Sequence, residues 1–165
     1  REGALYYLNV TIHVLAALLW LGGMFFLAVV GAPVLRKVDP PELRARLFNQ
    51  LGLASRNVGW AAIGVLILTG VANLHFRGLL RWAVLGNASF WSTRYGTTLA
   101  FKLSAVLIMI VVSAVHDFIL GPRAYSAAGT PAAGRWRRWS SWLARVNAVV
   151  GVLLVYFAVR LARGG

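Results

Sequence analysis

A chain of 165 residues that is 59% hydrophobic and 13% charged, with a mean hydropathy of +0.71, excludes an ordinary soluble domain and leaves an all-α polytopic membrane protein. Its net charge of +13 would suggest nucleic acid in a soluble protein, but here the cations gather where apolar runs end, which is the mark of membrane topology. With no cysteine there is no disulfide, thiolate metal site or iron–sulfur cluster, so histidine must carry any metal chemistry.

The length holds about four spans, read as one membrane domain over residues 1–165 arranged as a four-transmembrane-helix bundle. Residue 1 is Arg rather than Met, as expected of a chain from which an upstream segment is missing. Residues 5–34 form the first span, entered at Tyr6 and Tyr7 and left at Pro33, Arg36 and Lys37. Within it Asn9, His13, Trp20 and Met24 recur at helical spacing and share a face that should point into the bundle. Gly22 and Gly23 leave room there for a neighbouring helix or a flat cofactor. Asp39-Pro40-Pro41-Glu42 has the form of a helix start with Asp39 as N-cap, and Leu43, Leu47 and Leu51 recur every four residues before Gly52. Residues 40–52 are therefore expected as a short interfacial helix.

The second span, residues 58–76, is rich in Gly and Ala and closes on the more polar Thr69–Arg77 stretch, which holds Asn73 and His75. The connection that follows reads as interfacial, with Trp82, Phe90, Trp91 and Tyr95 beside Arg81 and Arg94. Asn87-Ala88-Ser89 fits the glycosylation pattern, one short enough to arise by chance. The third span, residues 97–120, carries Lys102, Met109, Ser113 and His116 on one face, and Gly121-Pro122-Arg123 is expected to end it. Arg135-Trp136-Arg137-Arg138-Trp139 returns the chain to the headgroup layer, and the fourth span, residues 142–161, presents Asn147, Gly151, Leu154 and Ala158 as a stripe. The connections after the first and third spans hold ten of the seventeen Lys and Arg, so they belong in the cytoplasm and both termini outside, as in a bacterial inner-membrane protein.

An imidazole inside an apolar span has no water to satisfy it and marks a site. His13 lies about 12 Å below the outer edge at ~1.5 Å per residue, and His75 within a few Å of that edge, so both occupy the outer half. Two histidines at similar depth on neighbouring helices suit the axial positions of haem b, with Trp20 and Gly23 beside the macrocycle and Arg77 and Lys102 pairing with its propionates. His116, toward the cytoplasmic end, is the second choice of iron ligand, and a hydrogen-bonded helix contact is the alternative reading for it and for His75. No Ser/His/Asp arrangement, phosphate-binding glycine loop or paired intramembrane carboxylate is evident along the chain, so hydrolysis and nucleotide chemistry are not expected.

The run from His13 through Trp20, Gly22, Gly23 and Met24 to Phe25 resembles the first span of the copper-resistance protein D (CopD-like) membrane domain, and is similar to the related HemJ-type protoporphyrinogen oxidases. The likeness continues at Leu68-Thr69-Gly70, at Phe101-Lys102-Leu103 and at Phe118 to Arg123. The resemblance implies a four-helix core and an association with copper uptake or with b-type haem and porphyrin oxidation. In the HemJ-like branch it pairs the positions of His13 and Lys102. The primary expectation is a haem b protein that passes electrons, with a quinone or a redox protein as partner, and any enzymatic activity would be that of an oxidoreductase. Copper transport and porphyrinogen oxidation are the alternatives, although two methionines and no cysteine make a poor soft-metal path. A non-catalytic assembly partner of a respiratory complex is a further reading, and the bilayer is the certain partner. A homo-oligomer is left open, and no nucleic acid is expected.

Overall fold

The computed structural model describes residues 2–127 and 129–164; Arg1, one of the seven Lys and Arg outside the connections after the first and third spans, and the side chains of Glu2 and Ala133 lie outside the description. Among the described residues four helical runs are long and apolar enough to cross a membrane, Gly3–Leu35, Pro41–Phe76, Arg94–Ser126 and Gly134–Ala162. The shortest has 29 residues, and at ~1.5 Å each that exceeds a hydrocarbon core of about 30 Å, so every run tilts or reaches into the headgroup layers. Burial has the membrane sense: Ala16, Ala62, Ala105, Thr69, Thr98, Ser113 and Asn147 are inside, while Leu8, Leu15, Leu18, Val29, Leu68, Leu107 and Val149 are exposed. Small and hydrogen-bonded side chains let helices approach, and large apolar ones face lipid.

The elements are α1 (Glu2–Phe26), a π-helical segment (Leu27–Gly31), α2 (Ala32–Leu35), α3 (Pro41–Phe76), α4 (Trp82–Leu85), α5 (Ala88–Ser92), α6 (Arg94–Ala114), a second π-helical segment (Val115–Leu120), α7 (Gly121–Ser126) and α8 (Ala133–Ala162). Both π segments sit just ahead of a proline. Pro33 and Pro122 have no N–H to give and would strike the carbonyl four residues back. The helix widens instead, with Ala32 N–H reaching the Leu27 carbonyl and Gly121 N–H the His116 carbonyl, each five residues back. Helix therefore continues past Pro122, where the sequence predicted an end.

The chain divides into two compact units, Arg1–Val84 and Leu85–Gly165. In the first, α1 and α3 run antiparallel, with Asn9 against Asn73, His13 against Thr69, Trp20 against Gly59 and Gly31 near Leu51. The expected surface helix at 40–52 is the leading part of the 36-residue α3, because Gly52 meets no obstacle and one glycine does not stop a helix this long. Pro40 occupies the N-cap in place of Asp39, with Pro41 as the first helical residue. At the other end Arg77 donates to the Tyr6 hydroxyl at 3.1 Å and Tyr6 packs edge-on against Phe76, tying the two helix ends together.

In the second unit Asn87 caps α5 by accepting from the Ser89 amide, which gives the Asn87-Ala88-Ser89 pattern a structural role. Thr93 caps α6 in the same manner, and a Cβ at Gly96 would run into the Phe90 carbonyl, so only glycine permits this entry. Helix α8 starts well before the predicted 142, taking the Arg/Trp cluster into its first turns, where Trp136 lies beneath the guanidinium groups of Arg123 and Arg135. Against α6 it sets Phe157 stacked on Phe101, Asn147 donating to Ser113 at 2.9 Å, and Ser140 at His116. Of the predicted stripe, Asn147 and Gly151 are buried but Ala158 is exposed; Phe157 takes its place toward α6.

Candidate functional site

Asn9 and His13 stand one turn apart on α1, and Thr69 and Asn73 one turn apart on α3, so two antiparallel helices bring four polar side chains into one ladder. Asn9 Nδ2 donates to the Thr69 carbonyl at 3.0 Å and to Asn73 Oδ1 at 2.9 Å. His13 Nδ1 lies 2.7 Å from Thr69 Oγ1. The direction of that last bond follows from its neighbour: Thr69 Oγ1 is also 2.6 Å from the Val65 carbonyl, which can only accept. The single hydroxyl proton goes to Val65, so His13 Nδ1–H is the donor to Thr69. In the neutral ring Nε2 then carries the lone pair. Gly70 lies under this ring, where a Cβ would sit 3.6 Å from His13 Cε1.

The remaining residues expected at the site distribute as follows. Trp20 is 8% exposed and packs on Gly59, a contact between α1 and α3. Gly23 is exposed, with nothing within 4 Å of where its Cβ would be. Arg77 is engaged at Tyr6, and Lys102 is half-buried on α6 in the second unit. His75 is exposed, stands roughly 9 Å along the axis from Thr69 and leaves α3 about 120° around from it. Axial ligands of one haem must face each other across the macrocycle. His13 turned into the α1–α3 contact and His75 turned away from it do not fit that requirement together. His13 alone fits the role of a nitrogen donor.

His116, in the π-helical segment, has Nδ1 on Asp117 Oδ1 at 2.9 Å and Nε2 on Ser140 Oγ at 3.0 Å. The sequence showed no Ser/His/Asp arrangement because Ser140 is 24 residues away; folding α8 back along α6 creates one. Among the described residues no group of three or more His, Cys, Asp and Glu gathers as a metal cage. Spacing alone pointed to the Asn9 and His13 face, whereas Thr69 and Asn73 carry the same four-residue spacing on the partner helix within a stretch that read only as more polar than its span, with no site assigned to them.

Comparison with known proteins places these residues in context. The family model CopD, described as copper resistance protein D, matches residues 45–161, which takes in Thr69, His116 and Ser140 and begins after His13. An uncharacterized protein of Aquifex aeolicus (strain VF5) is 29% identical over 155 residues, covering 93% of this chain and 92% of that one. No solved structure matches. A family model that spans most of three of the four long helices leaves one conclusion: this integral membrane protein belongs to the copper resistance protein D family.

Proposed function

We propose that this protein takes copper into the membrane as cargo and that Nε2 of His13 is the nitrogen that receives it. The observation that carries the reading is the Thr69 hydroxyl, held by the Val65 carbonyl, accepting from His13 Nδ1 at 2.7 Å. Metal-binding histidines characteristically give their other N–H to such a fixed acceptor, which sets the tautomer and raises the basicity of the ligating nitrogen. Imidazole is an accepted copper ligand, and without cysteine it is the strongest donor this chain offers. A single imidazole holds an ion briefly, and brief binding suits passage, which requires that a site be easy to leave. Met24, on the same α1 face and half-buried, is a soft donor three turns further along.

Haem b is the second reading, favoured by the scarcity of sulfur ligands: within the first unit His13 would be a nitrogen donor and Arg77 a propionate partner, while His75, turned away from the α1–α3 contact, does not supply the second ligand in this arrangement. Bound there, the haem would supply one-electron chemistry to a quinone or redox protein, or to porphyrinogen oxidation. Metal analysis and an absorption spectrum of protein purified from copper-supplemented cells separate the readings. Copper that is lost in His13→Ala, with no Soret band, supports transport. A Soret band with a dithionite-reduced α-band supports haem, and neither copper nor haem would remove the metal assignment.

A further inference from the structure

The Asp117–His116–Ser140 chain is a polar cluster that the copper reading leaves unused, and its hydrogen bonds run in one direction. Asp117 Oδ1 accepts from His116 Nδ1–H at 2.9 Å, which leaves Nε2 as the acceptor for the Ser140 hydroxyl at 3.0 Å. Several hydroxyls in these helices turn back onto their own backbone, with Thr11 donating to the Tyr7 carbonyl, Ser92 to Ala88 and Thr98 to Arg94, each four residues before it. Ser140, seven residues into α8, gives its proton to an imidazole on another helix instead. The imidazole belongs to a π-helical segment, a distortion frequent at functional sites. The side chains of His116 and Asp117 are 35% and 22% exposed, so a reactant has access to them.

We propose that Ser140 is a nucleophile activated by His116 as general base, with Asp117 as the residue that positions the imidazole, and that the site transfers acyl groups from esters bearing an anionic group. Ser140 Oγ attacks the ester carbonyl carbon while its proton passes to His116 Nε2. The C–O bond to the leaving alcohol breaks as His116 returns that proton to the departing oxygen. Water, deprotonated by the same nitrogen, then adds to the acyl-Ser140 carbonyl, the bond from that carbon to Ser140 Oγ breaks as His116 Nε2 returns the proton to Oγ, and the acid leaves. The anionic group meets the guanidinium groups of Arg123 and Arg135, which lie 5.4 and 5.7 Å from the ring of Trp136, one turn before Ser140 on α8.

The test is a fluorophosphonate probe applied to the full chain in lipid nanodiscs. Ser140 Oγ forms a bond to phosphorus, fluoride leaves and the serine proton passes through His116 to solvent, so intact mass and peptide mapping read the adduct directly. The expected result is one adduct, on Ser140. It is absent in Ser140→Ala and slowed by about a hundredfold or more in His116→Gln, while Asp117→Asn slows it less and Ser141→Ala leaves it unchanged. Circular dichroism of each variant establishes that the helices persist. No adduct on Ser140 in a folded protein, or labelling indifferent to His116→Gln, overturns the proposal.

Discussion

Thr69 determines which nitrogen of His13 keeps its lone pair, and it does so only because its own proton is committed to Val65. Replacing the hydroxyl by a methyl in Thr69→Val keeps the volume and removes the acceptor, so copper affinity is expected to fall about 10–100-fold while Thr69→Ser retains it; calorimetric titration of the purified variants reads both. The amide bridge above it is a separate, structural device. A double-mutant cycle on Asn9→Ala and Asn73→Ala should give a coupling of about 0.6 kcal/mol in thermal or denaturant unfolding, the scale of interhelical hydrogen bonds in membranes. A coupling near zero would mean that the amides are satisfied elsewhere. His13 was readable from the sequence because an imidazole in an apolar run demands a partner. Thr69 was not singled out, since its role depends on which residue of α3 stands opposite His13, and that is set by the packing register. His75 does not join His13 for the same reason: sharing the outer half of the bilayer says nothing about which way a helix face turns, and His75 also stands roughly 9 Å along the axis from Thr69.

Long apolar runs at full helical length made the elements recognisable, but proline and glycine misled at the boundaries. Gly121-Pro122 read as a stop, yet the helix absorbs Pro122 by widening the preceding turn, and that widened turn is where His116 and Asp117 sit. Pro122→Ala restores a donor and removes the ring clash, so hydrogen exchange should show a protected amide at residue 122 with the turn drawn back toward α-helix. An amide at 122 that exchanges freely would show that something other than the proline holds the π turn open. Glycines separate by what surrounds them. Gly96→Ala would force its Cβ into the Phe90 carbonyl and should cost about 1–3 kcal/mol of stability. Gly22→Ala meets nothing within 4 Å and should be neutral to within about 0.5 kcal/mol. Thermal unfolding in one detergent compares the two, and equal losses would contradict the packing.

At the scale of the molecule, hydropathy and charge were enough for an all-α membrane protein with four long apolar helices, because both depend on composition and not on contacts. Orientation rests on the bias of cations toward the connections after the first and third spans. Since the chain lacks cysteine, single thiols can report it. In whole spheroplasts an impermeant maleimide should label Asn87→Cys and spare Thr130→Cys until the membrane is permeabilised; the opposite pattern reverses the topology. The chain belongs to the copper resistance protein D family, and the copper reading proposed for the first unit's polar ladder turns on the tautomer of one ring, that of His13. Nitrogen-15 NMR of the protein labelled at histidine measures that ring directly. The account predicts that His13 carries its proton on Nδ1 and that added Cu(I) shifts the unprotonated Nε2, with Thr69→Val weakening the response. A proton on Nε2, or a His13 signal unmoved by copper, would contradict it.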